Sequence, residues 1–224
     1  MKVYDLAPNA DRYYRQNGSG PGANEIAPGV TCKPTSTIMG HDVGGWPVPS
    51  HGAAGFEKAL TMYRQPEDNL TALCRSPEGE AYMLAIDPGL KGTPPNEVWF
   101  VIAWALRKIY CRKTIVGPRW DWSLREALWG IARLRLPFVA STSLSKGGHV
   151  VMISGYRTEQ DEVPPNYFAL DLEAVKEIII DDPYGKHLVT AGYDVNQSGY
   201  HNRYTLAEFK NYWRGIGIQI LRKE

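Results

Sequence analysis

The sequence predicts an α+β fold, with a helical half over about residues 1–136 and a stranded half over about 137–224. Three observations carry this. Before Pro137, apolar residues recur at helical spacing, most densely through Val98, Phe100, Val101, Ile102, Ala105, Leu106 and Ile109. After Pro137 the apolar runs are short, rich in β-branched residues and bounded by Gly, Pro, Asn and Asp. A length of 224 residues suits one domain, 1–224, with a core of ordinary size.

The elements follow in order. Residues 17–31 are rich in Gly, Pro and Asn and read as an irregular loop. A short helix begins at about Cys32, since Pro34 is tolerated only in a first turn, where its missing N–H loses no partner. It ends near Gly44-Gly45, and Trp46-Pro47-Val48-Pro49 is extended. Phe56, Ala59, Leu60 and Tyr63 repeat at helical spacing until Pro66 stops the pattern, and Leu70, Leu73 and Cys74 share a further apolar stripe. Asn96 caps the apolar helix that runs through Ile109, whose apolar residues on most faces predict burial. Ser123 and Glu126 form a capping-box pattern, with Leu124, Leu128 and Ile131 inward. Phe138–Ser141, His149–Tyr156, Val175–Asp181, His187–Val189 and Ile216–Leu221 read as strands, interrupted by one helix opened by Thr205 and Glu208. There is no internal repeat.

Composition excludes several classes. With 25 basic and 24 acidic residues, the net charge of +1 leaves no broad basic face for nucleic acid. No run approaches the apolar length of a membrane span. Met1-Lys2-Val3-Tyr4-Asp5-Leu6 lacks the apolar stretch of a signal peptide, so synthesis and folding in the cytosol are expected. The three cysteines, Cys32, Cys74 and Cys111, form no CxxC pair and leave one thiol over in any disulfide scheme.

Cys32 has the surroundings of a nucleophile. Placed at or just before a helix N-terminus, it faces unpaired N–H groups and the positive end of the dipole, which favour thiolate over thiol. A base is available downstream in Gly147-Gly148-His149-Val150-Val151-Met152-Ile153-Ser154-Gly155-Tyr156, and a carboxylate in Ile178-Ile179-Ile180-Asp181-Asp182-Pro183. The order is Cys, His, then carboxylate.

That order and those words resemble the papain-like cysteine peptidases, and more closely the bacterial and phage families related to the peptidases that cut double-glycine leader peptides. The nucleophile word is Cys32-Lys33-Pro34-Thr35-Ser36, the base opens the strand His149–Tyr156, and the third word is Ile178–Pro183. The resemblance spans about Tyr13 to Trp213. It implies a papain-like fold, in which a helical lobe carrying the cysteine packs against an antiparallel sheet lobe carrying the other two residues. It implies catalysis by Cys32, His149 and Asp182, with Gln16 in Tyr13-Tyr14-Arg15-Gln16-Asn17 helping to form an oxyanion hole. Two departures are visible: a spacer of 15 residues between Gln16 and Cys32, longer than usual, and Lys33 where the family usually has glycine. No metal or organic cofactor is implied. A chain of this kind without membrane segments resembles a phage-type peptidoglycan peptidase acting on the wall peptide. A peptidase directed at proteins or leader peptides, and a binding module with an idle site, are the competing readings.

Each residue also has a plainer reading. A lone cysteine is most often a small buried hydrophobe, which is the reading for Cys74 and Cys111. His41, His51, His187 and His201 are expected on the surface rather than as metal ligands. Asp181 rivals Asp182, but neighbours on a strand point to opposite faces, so only one can meet the imidazole.

Overall fold

The structure, a computed structural model, describes residues 1–7, 9–16, 25–26, 31–110 and 115–223. Most of the loop expected over 17–31 lies outside these residues, as does Cys111. The elements are β1 (Lys2–Asp5), α1 (Cys32–Val43), α2 (Pro66–Cys74), α3 (Pro77–Ile86), α4 (Trp99–Tyr110), β2 (Ile115–Arg119), α5 (Leu124–Trp129), β3 (Phe138–Thr142), β4 (His149–Thr158), β5 (Val175–Asp181), β6 (Lys186–Leu188), β7 (Gly192–Asp194), β8 (Asn202–Thr205), α6 (Leu206–Tyr212) and β9 (Trp213–Ile220). The α+β class is as the sequence predicts.

Seven strands form one sheet in the order β2-β9-β3-β4-β5-β8, with β1 added beside β4. Every pairing is antiparallel. β3 pairs with the first half of β4 and β1 with the second, so β1 continues the line of β3. β6 and β7 make a separate hairpin.

The sheet is buried on both faces, and strand alternation distributes its side chains between two cores. Phe138, Ala140, Val151 and Ile153 join α5, α6 and β5 on one face. Val139, Val150, Ile218 and Ile220 join α1, α2 and α4 on the other. The division into a helical and a stranded half is therefore less sharp than the sequence implies. β1 and β2 come from the first half, and α5 packs on the face opposite α1.

Both capping boxes form, at Ser123 with Glu126 and at Thr205 with Glu208. The helix expected around Phe56–Tyr63 is reduced to a single 3-10 turn, Lys58–Leu60. Asn96 sits in a 3-10 turn, Pro95–Glu97, ahead of α4 rather than at its cap.

α1 lies flat on the sheet because its inner face is small and polar in an ordered way. Thr35 and Thr37 turn their hydroxyls back to the carbonyls of Thr31 and Lys33. Ser36 instead donates across to the Val150 carbonyl, 2.9 Å away, tying the helix to the strand that carries His149. At Gly40 a Cβ would stand 2.9 Å from an Ile220 side-chain carbon, so the absence of a side chain permits the close approach.

Candidate active site

Cys32 is the first residue of α1, and Pro34 occupies its first turn. The N–H groups there have no intrahelical partner, so the thiol sits at the positive end of the helix. It is half-buried at the floor of a cleft of about 420 Å³, whose lining includes Lys33, Glu97, Gly148, His149 and Arg214.

His149 opens β4 and is hydrogen-bonded to the Cys32 thiol. Its Nε2 lies 2.7 Å from Asp182 Oδ1, which leaves Nδ1 for the sulfur. Asp182 directly follows β5 and is fully buried. Its Oδ1 also accepts from the Tyr184 N–H at 2.9 Å, and its Oδ2 from the Tyr193 hydroxyl at 2.8 Å. The Tyr193 ring stands edge-on to the imidazole, centroids 5.4 Å apart. Asp182 therefore has a fixed orientation, and it in turn fixes the imidazole.

The choice between the two aspartates follows from strand geometry. Asp181, the last residue of β5, turns away from the imidazole and accepts from the His201 N–H at 2.9 Å. Burial pushes its carboxyl up to about 6, against the hydrogen bonds from His201 and Ser154.

Charge distribution within the pair is set by competing effects. Burial raises the Cys32 pKa, but the hydrogen bond and charge of His149, the backbone at Val150 and the nearby Lys33 ammonium together hold it below its ordinary value. Burial lowers that of His149, yet the Asp182 carboxylate and the thiolate push it up to about 10. The arrangement favours a thiolate–imidazolium pair. Burial brings the Lys33 ammonium down to about 8.

Gln16 is buried, with 3% exposure. Its backbone N–H donates to the Pro183 carbonyl at 2.9 Å, and Tyr13 Oη donates to the Asp182 carbonyl at 2.6 Å. The segment 13–16 is thereby docked against the Asp182-Pro183 turn, while Gln16 is not among the residues lining the cleft. Tyr193, Tyr13 and Arg214 are site residues that sequence patterns do not disclose. No local spacing links them to Cys32; the sheet brings Arg214, the β6–β7 hairpin Tyr193, and the docked N-terminal segment Tyr13.

The other histidines depart in part from a surface reading. His51 is exposed, whereas His187 and His201 are half-buried. His41 is fully buried within α1, its Nδ1 2.9 Å from the Thr37 carbonyl and its ring stacked on Tyr110. A helix interior, not a polar loop, surrounds it. Among the described residues, no three His, Cys, Asp or Glu side chains gather to hold a metal ion, and no helix is long and apolar enough to cross a membrane.

Cys74 supplies an internal control. It is fully buried, and burial pushes its thiol up. Iodoacetamide near neutral pH is expected to alkylate Cys32 at least about tenfold faster than Cys74 in the folded protein, because only thiolate reacts. Peptide mapping after timed labelling checks this, and equal rates would remove the electrostatic distinction.

A scan of family models and searches of curated proteins and of solved structures found no match to this chain.

Proposed function

We propose that the protein is a papain-like cysteine peptidase whose substrate is the peptide portion of peptidoglycan. The observation that carries the reaction class is the line from the Cys32 thiol through His149 to the buried Asp182, open to a cleft at a helix N-terminus. The wall-peptide substrate rests on the resemblance of the three sequence words to free-standing phage-type members of the family.

In this reading the Cys32 thiolate attacks an amide carbonyl carbon, and the carbonyl oxygen gathers the negative charge. The Cys32 N–H and the Gln16 amide steady that oxyanion, each donor contributing about 3 kcal/mol. As the tetrahedral intermediate collapses, the imidazolium Nδ1–H gives its proton to the departing amine, and a thioester remains. Water then adds to the thioester while His149 takes its proton, releasing a carboxylic acid and restoring the thiolate–imidazolium pair. Asp182 keeps the ring oriented and supports its positive charge throughout.

A peptidoglycan suspension distinguishes the reaction classes. The wild type is expected to lower turbidity and release new amino groups without new reducing ends, since amide cleavage exposes amines and glycosidic cleavage exposes sugars. Reducing ends without amines would overturn the peptidase assignment. Inactivity on every wall preparation, together with cleavage of a protein substrate, would move the substrate to polypeptides.

A further inference from the structure

We propose that the cleft selects substrates carrying a carboxylate next to the scissile amide, read by Lys33 on the thiol side and Arg214 on the imidazole side. This rests on the peptidase reading above and adds the charge of the substrate to it.

Both cations line the same cleft as Cys32 and His149, and Lys33 is held in place by two contacts. The Lys33 ammonium lies 4.7 Å from the centre of the Trp99 ring and donates to the main-chain carbonyl of Glu97. An ammonium has three donors, so a carbonyl and a ring face leave capacity for an incoming anion. Arg214 is an exposed residue of β9 with no ion-pair partner among the described residues. Its guanidinium lies over Gly148, where a Cβ would stand 2.9 Å from Nη1 and where φ is +83°. The glycine immediately before the base thus both adopts a left-handed backbone and leaves room for the cation beside the imidazole.

The hydroxyls of the cleft do not compete. Ser145 Oγ donates to the Gly148 carbonyl at 2.6 Å, and Ser141 Oγ accepts from Trp99 Nε1 at 3.1 Å. Glu97 is the one carboxylate among the described residues of the lining; it is exposed, its main-chain oxygen accepts from Lys33, and its charge offsets part of that of the ammonium. Two cations against one carboxylate leave this cleft positive in a chain whose overall charge is only +1. Peptides offer one common anion to such a site, the carboxylate, and a guanidinium matches its planar pair of oxygens.

Iodoacetate and iodoacetamide test this at Cys32 itself. Both react by attack of the thiolate on the same methylene carbon, forming an S–C bond and expelling iodide; they differ only in carrying a carboxylate or a neutral amide. A change in thiolate population cancels in the ratio of their rates. That ratio is expected to fall about threefold in Lys33→Met and in Arg214→Gln, the size of a partly exposed charge interaction, and about tenfold in the double variant. In the wild type it is expected to fall as salt is raised. Arg214 is exposed, so Arg214→Gln keeps the test decisive even if Lys33→Met loosens the helix start. An unchanged ratio in Arg214→Gln and the double variant, with Cys32 still reactive, would overturn carboxylate selection and leave the nucleophile standing. Failure of Cys32 to react with either reagent would overturn both.

Discussion

Cys32→Ala is expected to abolish amide hydrolysis, a loss of about 10⁴-fold or more in kcat, while the protein stays folded. Among the described residues the sulfur is the atom beside His149 suited to form the acyl intermediate, and the nearby hydroxyls are already engaged. Ser36 is committed to the Val150 carbonyl and Ser145 to that of Gly148. The thiol is half-buried at the edge of the core around Ile38, so its removal empties little volume. A thermal transition within a few degrees of the wild type, alongside release of amino groups at the background rate, is the result that supports the mechanism. Undiminished turnover would exclude it.

His149→Ala is expected to be nearly as damaging, and in a way that pH exposes. In the wild type the active pair requires ionised Cys32 and protonated His149. Activity should therefore rise as pH climbs through the lowered thiol pKa and fall as it passes about 10, where the imidazolium is lost. The stability linked to the two groups has matching signs. The part due to His149, whose pKa is raised, is fully present below its ordinary value near 6.5 and fades through about 10. The part due to Cys32, whose pKa is lowered, is present above the ordinary thiol value of 9.0 and fades as pH falls through the shifted one. Without the imidazole the thiol loses its hydrogen bond and its compensating charge, and burial dominates. The rate of alkylation at neutral pH should fall by about tenfold or more, and its pH profile should move upward. An alkylation profile that does not move would show that His149 does not govern the thiol. Asp182→Asn should cost less, because it removes charge and orientation while leaving the proton carrier.

The start of α1 is legible in the sequence because proline permits so few helical positions, and the capping boxes are legible because each is a local exchange of two hydrogen bonds. β5 runs from Val175 to Asp181 as its apolar run indicates, and the alternation of strand neighbours is what separates Asp182 from Asp181. β1 and β2 are illegible for the opposite reason. Lys2–Asp5 is four residues long and is held by pairing with residues 155–158, and Ile115–Arg119 contains Gly and Pro and is held by β9. Their stability comes from partners distant in sequence rather than from local propensity. The Phe56–Tyr63 pattern has helical spacing, but only Phe56 and Leu60 pack, partly buried, at the edge of the core, too little to extend a 3-10 turn. The burial of His41 escapes notice because a histidine beside Asp42 reads as polar, whereas a helical carbonyl and the Tyr110 ring satisfy it. Tyr193 and Arg214 arrive by tertiary routes alone.

The position of β9 between β2 and β3 has a consequence for the order of events during synthesis. Cys32 leaves the ribosome more than a hundred residues before His149 and about 180 before β9, the strand that joins β2 to the rest of the sheet. Until β9 is made, the imidazole is present but the sheet that holds it against the thiol is incomplete. Such long-range pairings form slowly and late. The nascent chain thus carries Cys32 as an ordinary thiol, and in the proposed peptidase hydrolytic competence would arrive late, when the sheet closes.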